Sequence, residues 1–192
     1  VIADTTLYAT DFSNAEGWET NSPSSFYHDE KSGRYHYQIT GGTGSYACIP
    51  FSEPHAGPFT LEFDVYPVLT EEKSSFRFGI GTEGYDSQRG PTIIAELYNQ
   101  NGEKAFALTA ITKENLRSQT FSIPGKGNYG GNTVRFSDGE EYHIRLAWYT
   151  GESRVSMTVT APGDNTPLFS HFVMDTGKME DFTHLFLTSI GE

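Results

Sequence analysis

Residues 59–81, FTLEFDVYPVLTEEKSSFRFGIG, alternate apolar and polar side chains with a period of two on both sides of a charged turn. Leu61, Phe63 and Val65 share one phase, and Glu62, Asp64 and Tyr66 the other. After the turn, Phe76, Phe78 and Ile80 alternate with Ser75, Arg77 and Gly79. That period belongs to a strand with one face packed and one face wet. The stretch predicts two paired strands whose apolar face packs on a second sheet. Their polar face would set two carboxylates, a phenol and a guanidinium side by side across the pairing.

The rest of the chain repeats the pattern in short pieces. Strands are expected over residues 7–12, 34–40, 45–51, 92–100, 103–111, 119–123, 140–150, 154–162, 167–175 and 184–191. Asn101-Gly102 between two of them is a hairpin signal, because both central positions tolerate positive φ. In EEYHIRLAWYT, Tyr142, Ile144, Leu146 and Trp148 take one side, which marks Trp148 as core, and His143, Arg145, Ala147 and Tyr149 the other. A helical turn is expected at 112–116 and a short helical or turn segment at 176–181. No long amphipathic helix and no internal repeat is legible. Ten to thirteen short strands call for a two-sheet, all-β antiparallel jelly-roll sandwich. At 192 residues the chain is read as a single β-sandwich domain, 1–192, with room to be a module of a larger secreted protein.

Composition narrows the partners. Fourteen Phe and eleven Tyr supply a core despite a hydrophobic share of 36%. A formal charge of −12 opposes nucleic acid and acidic membranes, which need a basic footprint, and favours a neutral ligand or a cation. No window approaches the length of a spanning apolar helix. Cys48 is the sole cysteine, so an intramolecular disulfide and a thiolate-rich zinc site are excluded, and it reads as a small buried hydrophobe. The six histidines are scattered without helical spacing.

The order DFSN…GW, FTLEFDVYP, SFRFGIG, GEEYHIRLAWYTGESRVSMTV and FTHLFLTSIG resembles the concanavalin A-like lectin and glucanase superfamily, in particular its laminin G-like and carbohydrate-binding members. The resemblance implies a jelly roll of two curved antiparallel sheets with first and last strands adjacent. It also implies ligand on the concave sheet or its rim loops, and often a structural calcium ion. Family 16 glycoside hydrolases of this fold carry Glu-x-Asp-x-x-Glu. Glu62 and Asp64 match its first two acids, but the third falls on Pro67, which transfers no proton. Glu62 and Asp64 stand about 7 Å apart on one strand face, whereas retention needs carboxyls about 5–5.5 Å apart across the bond. Glu96 is the best substitute, so an enzyme would use Glu62, Asp64 and Glu96. A lyase of the same fold would draw on Arg77, Arg145, His143 and Tyr149, but its characteristic motifs are missing.

Sugar binding without chemistry needs rings to stack on pyranose faces and planar polar groups to pair with hydroxyls. Glu62, Asp64, Tyr66, Arg77, Glu96, Tyr98, Arg145 and Tyr149 occupy the polar phases of their strands, and Trp18, Tyr85, Asp86, Asn128 and Tyr129 lie in loops that would form the rim. For any one tyrosine, core packing is the competing reading. A calcium site is expected from Asp11, Asn14 and Glu16 with Asp175 or Glu192, if the chain ends pair. The bland alternative is a turn capped by Asp and Asn. The expected function is non-catalytic polysaccharide or oligosaccharide binding, extracellular or at a cell surface, beside other domains of a parent chain. The alternatives are a glycoside hydrolase or lyase of the same fold, and a surface adhesion or structural domain.

Overall fold

The computed structural model describes residues 5–39, 44–129, 131, 133–149, 154–164, 166–174 and 179–190. Among them run thirteen strands and no helix: β1 (Glu19–Thr20), β2 (Phe26–Asp29), β3 (Arg34–Tyr37), β4 (Tyr46–His55), β5 (Phe59–Val65), β6 (Ser75–Gly81), β7 (Thr92–Gln100), β8 (Glu103–Ile111), β9 (Arg117–Phe121), β10 (Tyr142–Tyr149), β11 (Arg154–Thr160), β12 (Phe169–Met174) and β13 (Phe182–Thr188). They build a seven-stranded sheet, β1-β4-β13-β6-β7-β8-β9, and a four-stranded sheet, β12-β11-β10-β5, with β2 and β3 as a separate hairpin. Each strand pairs its neighbours antiparallel.

The alternation read from the sequence puts one face of each sheet into a shared core. From the four-stranded sheet come Ile144, Leu146, Trp148, Val155, Met157 and Val159; from the seven-stranded sheet come Ile49, Phe78, Ile80, Ile93, Leu97, Phe106 and Leu108. Large rings close the layer edges. Trp148 meets Phe182 with centroids 5.9 Å apart, and Phe106 meets Tyr142 at 5.3 Å. Burying such side chains stabilises each by about 1.5–3 kcal/mol relative to water. Cys48 is fully buried, but on the other side of β4, against Tyr85, Ile94 and Phe186.

The expected hairpin over residues 59–81 does not form. β5 and β6 do not pair with each other: β5 pairs β10 in the four-stranded sheet, and β6 lies between β13 and β7 in the seven-stranded one. Residues 66–74 therefore form a crossover between sheets. The crossover is fixed at both feet. Pro67 O accepts the Gly139 amide at 2.7 Å, Asp138 accepts from the Thr70 amide at 3.1 Å and from Lys104 Nζ at 2.9 Å, and the Glu72 carboxylate caps the Asn101 and Gly102 amides at 2.5 and 3.0 Å. The last two belong to the β7–β8 hairpin, where Asn101 (φ 55°) and Gly102 (φ 77°) adopt the left-handed conformation that the Asn-Gly pair predicts.

Other differences are local. Residues 7–12 form no strand. Thr10 Oγ1 and the Asp11 carboxylate accept the Phe12 and Ser13 amides at 3.0 and 2.9 Å, a side-chain alternative to ladder bonding, and Phe12 turns to φ 56°. Residues 112–116 close a hairpin into β9 and not a helical turn, with Asn115 at φ 65°. β2 escaped the sequence reading, although Phe26 is almost wholly buried. The last strand, β13, lies beside β4, and β1 pairs the other edge of β4, so first and last strands are one strand apart. Of residues 176–181, 176–178 lie outside the described residues.

Candidate functional site

Because β5 and β6 part company, the polar residues expected on one face stand on two. Glu62 and Asp64 alternate with the core residues Leu61 and Phe63 on β5, and His143, Arg145 and Tyr149 alternate with Ile144, Leu146 and Trp148 on β10, so all five look outward from the four-stranded sheet. Arg77 alternates with Phe76 and Phe78, and Glu96 and Tyr98 with Ala95 and Leu97, so they face outward from the seven-stranded sheet on the far side of the core. Glu96 thus stands across the sandwich from Glu62 and Asp64. The three acids cannot act on one bond.

On the four-stranded face the register sets His143 opposite Asp64 and Arg145 opposite Glu62. The His143 ring bridges both acids, with Nδ1 2.8 Å from Asp64 Oδ1 and Nε2 3.0 Å from Glu62 Oε1. An imidazole donates from both nitrogens only as the imidazolium. Burial alone would lower its pKa, but the hydrogen bonds and charges of Glu62 and Asp64 outweigh that, and the net shift is upward. Beyond the bracket, Arg145 donates to Tyr149 Oη at 3.2 Å and to Thr60 Oγ1 at 3.4 Å. Tyr149 is 40% exposed. Tyr66, just past the other end of β5, is 43% exposed, with the Arg34 guanidinium 5.2 Å from its ring centroid. Arg34 is held in turn by Glu141 at 3.0 Å. The sequence offered His143 only as a lyase base. Its bridging role follows from the β5–β10 register, which nothing local in the chain encodes.

The seven-stranded face is more closed. Arg77 and Glu96 form an ion pair at 3.6 Å with 15% of each side chain exposed. Tyr98 is 4% exposed in a cluster with Ala105, Ala107, Phe121 and Ile123, and its buried hydroxyl has no hydrogen-bond partner among the described residues. Burial first, then the charges of Glu96 and Glu103, push it up to about 12. Lys126 closes over its ring at 4.4 Å. A ring so placed offers no platform to a sugar.

The expected rim residues also divide. Trp18 packs with Tyr35 (5.1 Å) and Phe12 (5.8 Å) and donates to Tyr8 Oη at 2.8 Å, so it is a local aromatic core. Tyr85 is buried against Tyr46 and Phe186, a packing role that burial of its phenol, raising its pKa, accompanies. Asp86 caps the Gln88 amide at 2.7 Å and pairs with Arg89 at 3.6 Å. Tyr129 bonds Thr133, while Asn128 lines a surface groove.

Of the calcium expectation, Asp175 and Glu192 lie outside the described residues. Asp11, Asn14 and Glu16 border one open hollow, but the Asp11 and Asn14 oxygens already accept the Ser13 and Glu16 amides at 2.9 and 3.0 Å. Those two bonds are the ones a capped turn makes. Among the described residues no three His, Cys, Asp or Glu side chains gather as a metal cluster.

No family model matches the chain, and no curated protein matches it by sequence. Similar folds do occur among solved structures. A legume lectin-like domain from Entamoeba histolytica superposes with a TM-score of 0.53 at 9% identity, over 92% of this chain and 83% of that one. Lectin II from Ulex europaeus gives 0.50 at 11% identity, over 93% and 87%. The enzymatically active domain of tailspike protein 2 from bacteriophage CBA120 gives 0.52 at 13% identity, over 74% of this chain and only 20% of that one. Likeness at such identity speaks for the fold alone, and the fold is the concanavalin A-like two-sheet jelly roll.

Proposed function

Starting from a concanavalin A-like jelly roll, we propose that the chain is a non-catalytic carbohydrate-binding module that takes an oligosaccharide along the outer face of its four-stranded sheet. The observation that carries this reading is the strip along β5 and β10. Exposed Tyr66 and Tyr149 mark its ends, about 25 Å apart at the antiparallel rise per residue, with Asp64, His143, Glu62 and Arg145 between them. Tyrosine rings with one face wet suit the apolar faces of sugars, and the fixed carboxylates and guanidinium suit hydroxyls. Similarity to two lectins agrees with that ligand class. An extracellular or cell-surface setting, neighbouring domains in a parent chain and a structural calcium ion belong to the same reading as proposals.

Two features weigh against hydrolysis on this face. Glu62 and Asp64 both hold the same imidazole, and Pro67 replaces the acid that would complete the glucanase-like spacing. Glu96, the substitute, belongs to the other face.

A screen of the purified chain against soluble and insoluble polysaccharides, with calcium and with chelator, tests the reading when binding and reducing-sugar or unsaturated-product release are read from the same wells. Binding without product, weakened about tenfold by Tyr149→Ala or Arg145→Ala, is the expected result. Product release would overturn the non-catalytic reading. Binding indifferent to both substitutions would overturn the site, and silence in both channels would favour an adhesion or structural role.

A further inference from the structure

We propose a second binding site, at the open edge of the sandwich between β9 and β12, that takes a neutral sugar. β9 ends the seven-stranded sheet and β12 ends the four-stranded one. Between them lies a cavity of about 510 Å³ lined by Ser118, Gln119, Asn128, His171, Phe172 and Val173. Its volume falls in the range of small-molecule sites. The ligand class rests on the carbohydrate reading above; the location does not depend on the four-stranded face.

The lining is what selects the ligand. In a chain with a net charge of −12, none of the described residues that line this groove is a carboxylate, lysine or arginine. Four of its six residues carry groups that both donate and accept: a hydroxyl, two primary amides and an imidazole. A sugar hydroxyl also donates and accepts, so such a set matches a polyol, whereas an ionised ligand would find no countercharge among the described lining residues, the Arg154 guanidinium being stacked on the Phe172 ring. Among the described residues, the side-chain amide of Asn128 and the imidazole of His171 make no hydrogen bond. Asn128 is engaged instead through its backbone carbonyl, which accepts the Phe121 amide at 2.8 Å. Gln119 Nε2 donates to Thr109 Oγ1 at 2.9 Å, which fixes the amide and leaves its carbonyl oxygen available.

The backbone adds a further pair of groups. Ser122 bonds inward to Phe106, while Phe121 bonds outward to Asn128. By strand parity Gln119 shares the outward side with Phe121, so its N–H and C=O face the edge where the cavity lies. Phe172 and Val173 supply an apolar wall for ring C–H groups, and Arg154, 4.3 Å from the Phe172 ring, holds that ring in place. The competing occupant, an extended peptide pairing with the β9 edge, becomes an outcome of the test.

The experiment is an amide-resolved NMR titration of the full chain with lactose, cellobiose and methyl mannoside, with galacturonate and glucosamine as charged comparators and a polyvaline-like extended peptide as the strand probe. Neutral sugars should shift the amides of Gln119, Asn128, His171 and Val173. The double variant Asn128→Ala/His171→Ala should weaken that response about tenfold or more while lowering Tm by only about a few degrees, since among the described residues neither side chain makes a hydrogen bond and His171 packs only through ring contacts with Phe169 and Phe172. The absence of shifts at these amides with every neutral sugar overturns the site, as does equal or tighter binding of a charged sugar or of the peptide there. Shifts confined to the β5–β10 strip would overturn the groove and leave the earlier reading standing. Shifts confined to the groove would do the reverse.

Discussion

The rings of Phe63 and Phe78 meet edge to face across the sandwich, with centroids 4.6 Å apart. Their strands follow one another in sequence, but the contact runs between sheets and not along a hairpin. It clamps the two layers where the crossover 66–74 leaves one and enters the other. Phe78→Ala should cost about 3–5 kcal/mol and lower Tm by roughly 10 °C. Thermal unfolding checks it; a loss within a degree or two would mean that the sheets do not pack at this point.

Gly79 faces the outer side of β6, and a Cβ built there would stand 1.9 Å from the Ile93 carbonyl oxygen and 2.7 Å from Ile94 Cα. Both obstacles are backbone, so no rotamer change relieves them. Gly79→Ala should abolish soluble expression or lower Tm far more than Gly84→Ala, whose Cβ meets nothing within 4 Å. Comparable Tm values for the two variants would show that β6 and β7 separate more readily than their register implies.

Alternation made the inward residues legible. Ile144, Leu146, Trp148, Val155, Met157 and Val159 are where period two puts them, because each choice of phase has the same consequence in any sheet. Pairing is different. Leu61 to Val65 and Phe76 to Ile80 carry the same pattern whether they form a hairpin or face each other across a core, and a nine-residue crossover has no local signature that separates the cases. The site expectation carries that ambiguity: it joins Glu62 and Asp64 to Arg77, Glu96 and Tyr98, which lie on the opposite face. Tyr98 also shows why an apparent polar phase does not ensure exposure. Its face is covered by a second apolar layer from Phe121 and Ile123, contributed by residues more than twenty positions away.

His143 makes stability depend on pH with a definite sign. Its pKa is raised in the fold by Glu62 and Asp64 against the pull of burial. A raised histidine stabilises fully below the unfolded value, about 6.5, and the contribution is lost as pH rises through the folded value. His184, lowered by burial, acts in the opposite sense, its contribution fading as pH falls. Comparison with His143→Gln isolates the first. Wild type should exceed the variant in urea midpoint at pH about 5.5 by more than at pH about 8.5, and a constant gap between them would remove the imidazolium bridge.

The two outer faces make opposite predictions under substitution. Tyr98 is buried in an apolar cluster under Lys126, so Tyr98→Ala opens a cavity and should cost about 3 kcal/mol, seen as a Tm lowered by several degrees, with sugar affinity at the β5–β10 strip unchanged. Tyr149 is exposed and held by Arg145 at 3.2 Å, so Tyr149→Ala should leave Tm within about a degree while weakening oligosaccharide binding about tenfold, the worth of one stacked ring. Running both variants through calorimetry and glycan titration separates packing from recognition. If Tyr98→Ala weakened binding at unchanged Tm and Tyr149→Ala did not, the sugar would lie on the seven-stranded face, and the loop carrying Lys126 would have to open to admit it.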